Sequence, residues 1–282
     1  MKTKIKKGGF SVPLGTIFEH TAFKADNLKV VIYPNRLSMG MAAAKGLLLA
    51  IKKILQRKKE INILFAAAPS QNEVLDALVA RKDVPWKAIN CFHMDEYVGL
   101  KENHPSSFRK FLLEKIFSKV RAKSVHLIRG EAKNPETECR RYAKLLEKHL
   151  LDVVQGGIGL VPHIAFNDPE NADFNDPYLV KVVKLQEESR IQQVRDGCFA
   201  RLKDVPKHAF TVTMPPIIRA RYISLVVPAS LKAKSVKLTI FNRVDSSTPA
   251  SIMRKHKNSM MFLDPDSALL IRREINDVGD IS

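Results

Sequence analysis

An α/β architecture with parallel strands is what this 282-residue sequence predicts. Three observations point there. Short apolar runs rich in strand formers alternate with longer segments whose apolar residues recur at helical spacing. One run, Ile61-Asn62-Ile63-Leu64-Phe65, is apolar almost throughout, as a strand covered on both faces requires. Three of the strand-to-helix junctions carry unusual residues, and in an open parallel sheet the C-terminal strand ends line the ligand crevice. No Pro/Gly/Ser-rich linker, low-complexity tract or internal repeat breaks the alternation. A single domain over 28–282 is expected, behind an N-terminal arm at 1–27.

Taken in order, 28–33 reads as a strand closed by Pro34-Asn35. A helix follows over about 37–58, with Met41, Leu47, Leu48, Ile51, Ile54 and Leu55 at helical spacing. Its basic end, Lys52-Lys53 and Arg57-Lys58-Lys59, opposes the negative end of the helix dipole and calls for no further explanation. The strand 61–65 feeds Ala68-Pro69-Ser70-Gln71-Asn72-Glu73 and a helical run through Val74, Leu75, Leu78 and Val79. A third strand, 88–92, runs toward Asp95 and Glu96. A helix begins after His104-Pro105-Ser106-Ser107, a short strand covers 125–128, and Asn134-Pro135 opens a helix to about 150 with proline at its first position. Val153-Val154 leads into Gly156-Gly157-Ile158-Gly159. Strands at 210–214 and 222–227, a helix after Ser230 and a closing strand near 260–263 continue the alternation.

Composition narrows the partners. The formal charge of +18 favours anions, but the 47 lysines and arginines are spread along the whole chain. No nucleic-acid-binding motif accompanies them, so steering of a small phosphate ester is the economical account and no specific nucleic acid is expected. No apolar run has spanning length, and the lysine-rich start leads into Gly8-Gly9 rather than an apolar core. A cytoplasmic protein without a membrane partner is expected. Cys91, Cys139 and Cys198 are odd in number and far apart, as for reduced, packed thiols, and offer no metal spacing.

The chemistry concentrates at three places. Asp95 and Glu96 end an apolar run, where crevice residues and an ordinary charged turn are equally good readings. Ser70 with Glu73 has the spacing of a capping box, which the pattern alone favours; a phosphate seat at a helix start is the functional reading, and only the neighbouring junctions choose between them. His163, after the glycine run and five residues before Asp168, offers a group titrating near neutrality with a carboxylate to orient it. Lys232 falls at the start of the helix after Ser230. A cation there opposes the dipole at a cost of a few tenths to about 1 kcal/mol, which a bound phosphate would offset.

Met94-Asp95-Glu96-Tyr97-Val98-Gly99-Leu100 with His104-Pro105, and His163-Ile164-Ala165-Phe166-Asn167-Asp168-Pro169, resemble the glucosamine-6-phosphate deaminase (isomerase) family. That family shares a superfamily with 6-phosphogluconolactonase. Val205-Pro206, Ala209 and Thr211-Val212 extend the likeness, which runs from about 28 to the last strand. The resemblance implies a Rossmann-like, mostly parallel sheet flanked by helices, of the NagB/RpiA/CoA transferase-like kind. It implies conversion of a 2-amino aldose 6-phosphate to a ketose 6-phosphate and ammonia, with no metal and no organic cofactor. Asp95 would move a proton between C2 and C1, His163 would open the sugar ring, and Asp168 would assist His163 where the family often has glutamate. Ser70 and Gln71 would hold the phosphate with Lys232 as counter-ion, and Glu96 and Gly157 would complete the contacts to the phosphorylated sugar. A homo-oligomer is compatible with the sequence.

The departures are specific. Val161-Pro162 stands where the family commonly has Asp-Gly before the histidine, and Ala68-Pro69 replaces a glycine pair in the phosphate loop. The family's phosphate-binding arginine just before the segment at Phe199 has no secure counterpart, and the segment 170–178 is unlike the arginine-rich allosteric segment of regulated members. A sugar-phosphate-binding paralogue with impaired catalysis, and a 6-phosphogluconolactonase-type hydrolase, are the alternatives.

Overall fold

The computed structural model describes residues 20–272. Eight strands form the main sheet: β1 (Thr21–Ala25), β2 (Leu28–Ile32), β3 (Ile61–Phe65), β4 (Ile89–His93), β6 (Ser124–His126), β7 (Val153–Gly156), β10 (Tyr222–Val227) and β11 (Ser259–Leu263). Their order across the sheet is β1-β2-β11-β10-β7-β3-β4-β6, parallel throughout except for the β1–β2 hairpin. Strands β3 and β4 are buried along their whole length, so the sheet is covered on both faces there. The edge strand β1 lies inside the stretch expected to be an arm, so the sheet starts ahead of residue 28. The rest of that arm, 1–19, is outside the described residues.

Helix α1 (Arg36–Leu55) begins in a reciprocal cap. Asn35 Oδ1 accepts from the Ser38 N–H at 2.8 Å, and Ser38 Oγ accepts from the Asn35 N–H at 3.3 Å. It buries Met39, Ala43, Ala44, Leu47, Leu48 and Ile51. Each large aliphatic in that stripe stabilises the fold by about 1.5–3 kcal/mol. Helices α2 (Asn72–Ala80), α3 (Phe108–Leu112, continued by a π-helical turn Leu113–Phe117) and α4 (Pro135–Lys148) follow the expected positions. Then come α5 (Glu187–Arg195), α6 (Met214–Ile218) and α7 (Ala233–Phe241).

One expectation changes. Asp95 does not end the third main strand, because β4 stops at His93. Asp95 opens β5 (Asp95–Tyr97), the first strand of a separate antiparallel sheet with β9 (His208–Val212) and β8 (Val180–Lys184), in the order β5-β9-β8. The run read at 210–214 therefore belongs, up to Val212, to this small sheet and not to the parallel one, and Met214 opens the next helix.

The chain crosses from β2 to β3 near the middle of the main sheet, builds outward through β4 and β6, and returns to β7 beside β3. From there β10 and β11 build toward β2. The two halves diverge between β3 and β7, the switch point of an open α/β sheet. The segments leaving β3, β4, β7 and β10 carry Ser70, Asp95, His163 and Lys232.

Candidate active site

Beyond β3, residues Pro69–Gln71 form a 3₁₀ turn before α2. The capping box suggested by Ser70 and Glu73 does not form, since α2 has no side-chain cap and Glu73 pairs with Arg36 at 3.0 Å. Ser70 instead lines a cavity of about 460 Å³ with Arg36, Asn72, Glu73, Leu160, Asp196 and Lys232. Lys232 is buried, and burial pulls its ammonium down to about 8 against the opposing charge of Asp196. A cation held at that cost, next to a hydroxyl and above a turn of backbone amides, suits an anion.

Gln71, expected beside the phosphate, has its side chain engaged within the protein. It is 1% exposed and its amide is fully used: Nε2 donates to Ser70 Oγ and the Val226 carbonyl, and Oε1 accepts from Gln155 Nε2. Gly157 stands behind it. A Cβ there would lie 2.7 Å from Gln71 Nε2 and 3.0 Å from the Val226 carbonyl oxygen, so glycine is what lets the amide span β3 and β10. Neither residue lines the cavity; Gln71 meets it only through its bond to Ser70 Oγ.

The two adjacent carboxylates separate completely, because successive side chains of a strand point to opposite faces. Glu96 is fully buried and accepts from the Tyr97, Phe108 and Arg109 N–H groups, from Ser107 Oγ at 2.7 Å and from Arg109 Nε. It fastens the start of α3, and both carboxylate oxygens of this expected substrate contact are engaged within the protein. Asp95 is 9% exposed, and burial followed by the charge of Glu96 raises its carboxyl to about 8, with no hydrogen bond from the described residues opposing them. A buried carboxyl without a donor of its own is placed to exchange a proton with a bound molecule.

His163 sits in a tight loop beyond β7. Its backbone N–H donates to the Val161 carbonyl and its own carbonyl accepts from the Gly159 N–H. A Cβ on Gly159 would lie 2.1 Å from His163 Nε2, so the ring packs flush against a glycine that no other residue could replace without moving it. On the other side Nδ1 contacts Asp168 Oδ1. Asp168 is buried and takes a hydrogen bond from Ser189 Oγ at 2.8 Å. Burial pushes its carboxyl up, and His163 and Ser189 more than compensate, leaving it below the usual carboxylate range. Val161-Pro162 supplies no second carboxylate, and the Pro162 carbonyl is tied to the Ala250 N–H at 2.8 Å.

Thr211 links the two halves of this chemistry. It is the β9 partner of Asp95, and its Oγ1 accepts from the Phe166 N–H at 3.1 Å in the loop that carries His163 and Asp168. Asn167 adds a bond from Nδ2 to the Val212 carbonyl at 2.9 Å. Leu160, in the His163 loop, is in turn part of the cavity that holds Ser70 and Lys232. Neither Asp95 nor His163 lines that cavity directly. Sequence reasoning gave no part to Ser189, Arg36 and Asp196, and it quoted Thr211 in the phrase running to Val212 without assigning it a role. Gly159 stood in the glycine run, but only the ring packed on it reveals its part.

Known proteins place this arrangement in a lineage. Residues 34–262 match the family model for glucosamine-6-phosphate isomerases/6-phosphogluconolactonase. The chain belongs to this family. Among curated members of the glucosamine-6-phosphate isomerase/6-phosphogluconolactonase family, a glucosamine-6-phosphate deaminase of Listeria monocytogenes is 36% identical over 212 residues, covering 75% of this chain and 88% of that protein. One from Streptococcus sanguinis is 28% identical over 247 residues, covering 87% and 100%. A solved monomeric glucosamine-6-phosphate deaminase superposes with a TM-score of 0.77 at 25% identity, covering 86% of this chain and 99% of that one. The 6-phosphogluconolactonase of Trypanosoma cruzi superposes at 0.70 with 16% identity, a likeness of fold.

Proposed function

We propose that the protein converts an amino-sugar 6-phosphate, such as glucosamine 6-phosphate, to a ketose 6-phosphate and ammonia. The observation that carries this reading is the pairing of unlike environments beyond the C-terminal strand ends of the main sheet. A buried carboxyl with no donor among the described residues, Asp95, lies on one sheet, and an anion seat at Ser70 and Lys232 lies on the other. The phosphate binds at the seat and the sugar extends toward Asp95. His163, oriented by Asp168, protonates and deprotonates the ring oxygen as the hemiacetal opens. Asp95 takes the proton from C2 of the open chain and returns it to C1, so that C2 becomes the carbonyl-level carbon from which water displaces the amine. Family membership and the named deaminases at 28–36% identity support the substrate class.

Ammonia release from a panel of hexosamine 6-phosphates tests this directly. Turnover is expected with at least one of them and is expected to fall by a factor of about 10²–10⁴ in Asp95→Asn. An Asp95→Asn chain as active as the parent removes Asp95 from the reaction.

A second reading rests on Val161 and Asp196. The first leaves His163 with one carboxylate partner, and the second puts a negative charge in the anion seat. In that reading the protein binds a sugar phosphate without turning it over. Thermal stabilisation by the same panel, with no ammonia released, selects it.

A further inference from the structure

We infer that Arg36 is a phosphate ligand of this seat, supplying from the first turn of α1 the guanidinium that the α5 side of the cavity lacks. The inference rests on the phosphate reading of the seat given above. Arg36 lines the same cavity as Ser70 and Lys232. On the α5 side, the charged group facing that space is Asp196, a carboxylate, so the positive charge there comes from Lys232 and Arg36.

The position of Arg36 is built, not incidental. Gly40 lies one helical turn after Arg36, on the same face of α1. A Cβ on Gly40 would come 2.4 Å from Glu73 Cβ and 2.8 Å from the Glu73 carbonyl carbon. Its absence brings α1 into backbone contact with the start of α2. One turn back, that approach sets the Arg36 guanidinium over the Ser70 turn, where Nη2 donates to Glu73 Oε2 at 3.0 Å and to the Pro69 carbonyl at 3.4 Å. Glu73 fixes one edge of the guanidinium. Nε is buried and has no partner among the described residues. An arginine steadied by one carboxylate, with Nη1 not used in either bond and the charge delocalised beside a cavity, suits an oxyanion that takes a charge-assisted N–H bond.

The test is calorimetric titration of the full chain with inorganic phosphate and with glucosamine 6-phosphate, comparing wild type with Arg36→Gln and Arg36→Lys. Ammonia release is assayed in parallel. Arg36→Gln is expected to weaken both ligands about ten-fold or more. Arg36→Lys, which keeps the charge and loses the fork, is expected to fall between and guards against a fold defect in the first variant. Equal phosphate affinity in wild type and Arg36→Gln overturns the assignment while leaving ammonia release by the wild type, and with it the deaminase reading, intact. A wild type that neither binds phosphate nor releases ammonia overturns the assignment together with the reading beneath it.

Discussion

At the scale of single residues, Asp95 and Glu96 are neighbours in the chain with opposite lives. Burial raises both carboxyls; on Glu96 the backbone and side-chain donors oppose that rise, whereas the Asp95 carboxyl goes up to about 8 under burial and the nearby charge of Glu96. That difference has a consequence for stability. In the unfolded chain Asp95 ionises near the ordinary aspartate value of about 3.9. Between there and about 8 the folded state binds more protons than the unfolded state, so stability falls as pH rises through that window. Asn has the same shape and no charge. Asp95→Asn is therefore expected to melt at the same temperature as the parent near pH 4 and to be more stable at pH 8, by on the order of 1 kcal/mol or more. Thermal melts across that range check it, and a stability difference that does not change with pH would sink the argument. A residue that costs stability when charged yet persists at a crevice fits a chemical task better than a packing one.

Strain and legibility are matters of the elements. The turn between β10 and α7 holds Ala229 at φ 80° and ψ 148°, a conformation essentially reserved for glycine. The Asp264 carboxylate enforces it by accepting from the Ala229 N–H at 3.0–3.1 Å. This turn delivers Lys232 to the seat. Ala229→Gly is expected to relieve the strain, less the extra entropy glycine loses on folding, for a net gain of about 1 kcal/mol, or about 2–4 °C in melting temperature. A lower melting temperature would show that the turn is not strained. The elements that sequence reading found were those with apolar periodicity. The strands 61–65 and 222–227 emerge with their bounds intact, the helix expected from about 37 starts at Arg36, and Pro135 is the first residue of α4. Helix α5 was invisible because the side it buries is polar, namely Ser189, Gln192 and Gln193, so hydrophobic spacing is silent there. The three-residue strand β5 was read as the tail of β4, since nothing in Met94-Asp95 signals a change of sheet. Asp95, His163, Asp168 and Lys232 were legible as motif residues. Arg36 was not, and Thr211 stood in a quoted phrase without a role, since the part each plays comes only from what the fold sets beside it.

The whole molecule divides the proposed reaction between two sheets. The anion seat hangs from the large parallel sheet through β3 and β10, while Asp95 belongs to the small antiparallel one. A sugar phosphate bridging them is held in register only if the two sheets keep a fixed relation. The joint is aromatic. Tyr97 of β5 packs against Phe108 at 4.8 Å, Phe199 at 5.4 Å and Phe166 at 5.9 Å, and Phe108 and Phe166 meet at 5.9 Å. Phe166 is the piece of this cluster that belongs to the His163 loop, and its backbone N–H is already tied to Thr211. Phe166→Leu keeps the site apolar and removes the ring contacts, at about 1–2 kcal/mol of stability. The phosphate seat lies outside the cluster, so the affinity for inorganic phosphate is expected to stay within two-fold or so of wild type. The reacting groups lose their alignment, and small misplacements there cost up to about 10² in rate, so kcat for the amino-sugar phosphate is expected to fall by about 10- to 100-fold. Phosphate titration and steady-state kinetics on the same preparation read the two quantities separately. A kcat that holds while phosphate affinity drops would mean that the ring cluster supports the seat rather than the alignment of Asp95 with His163.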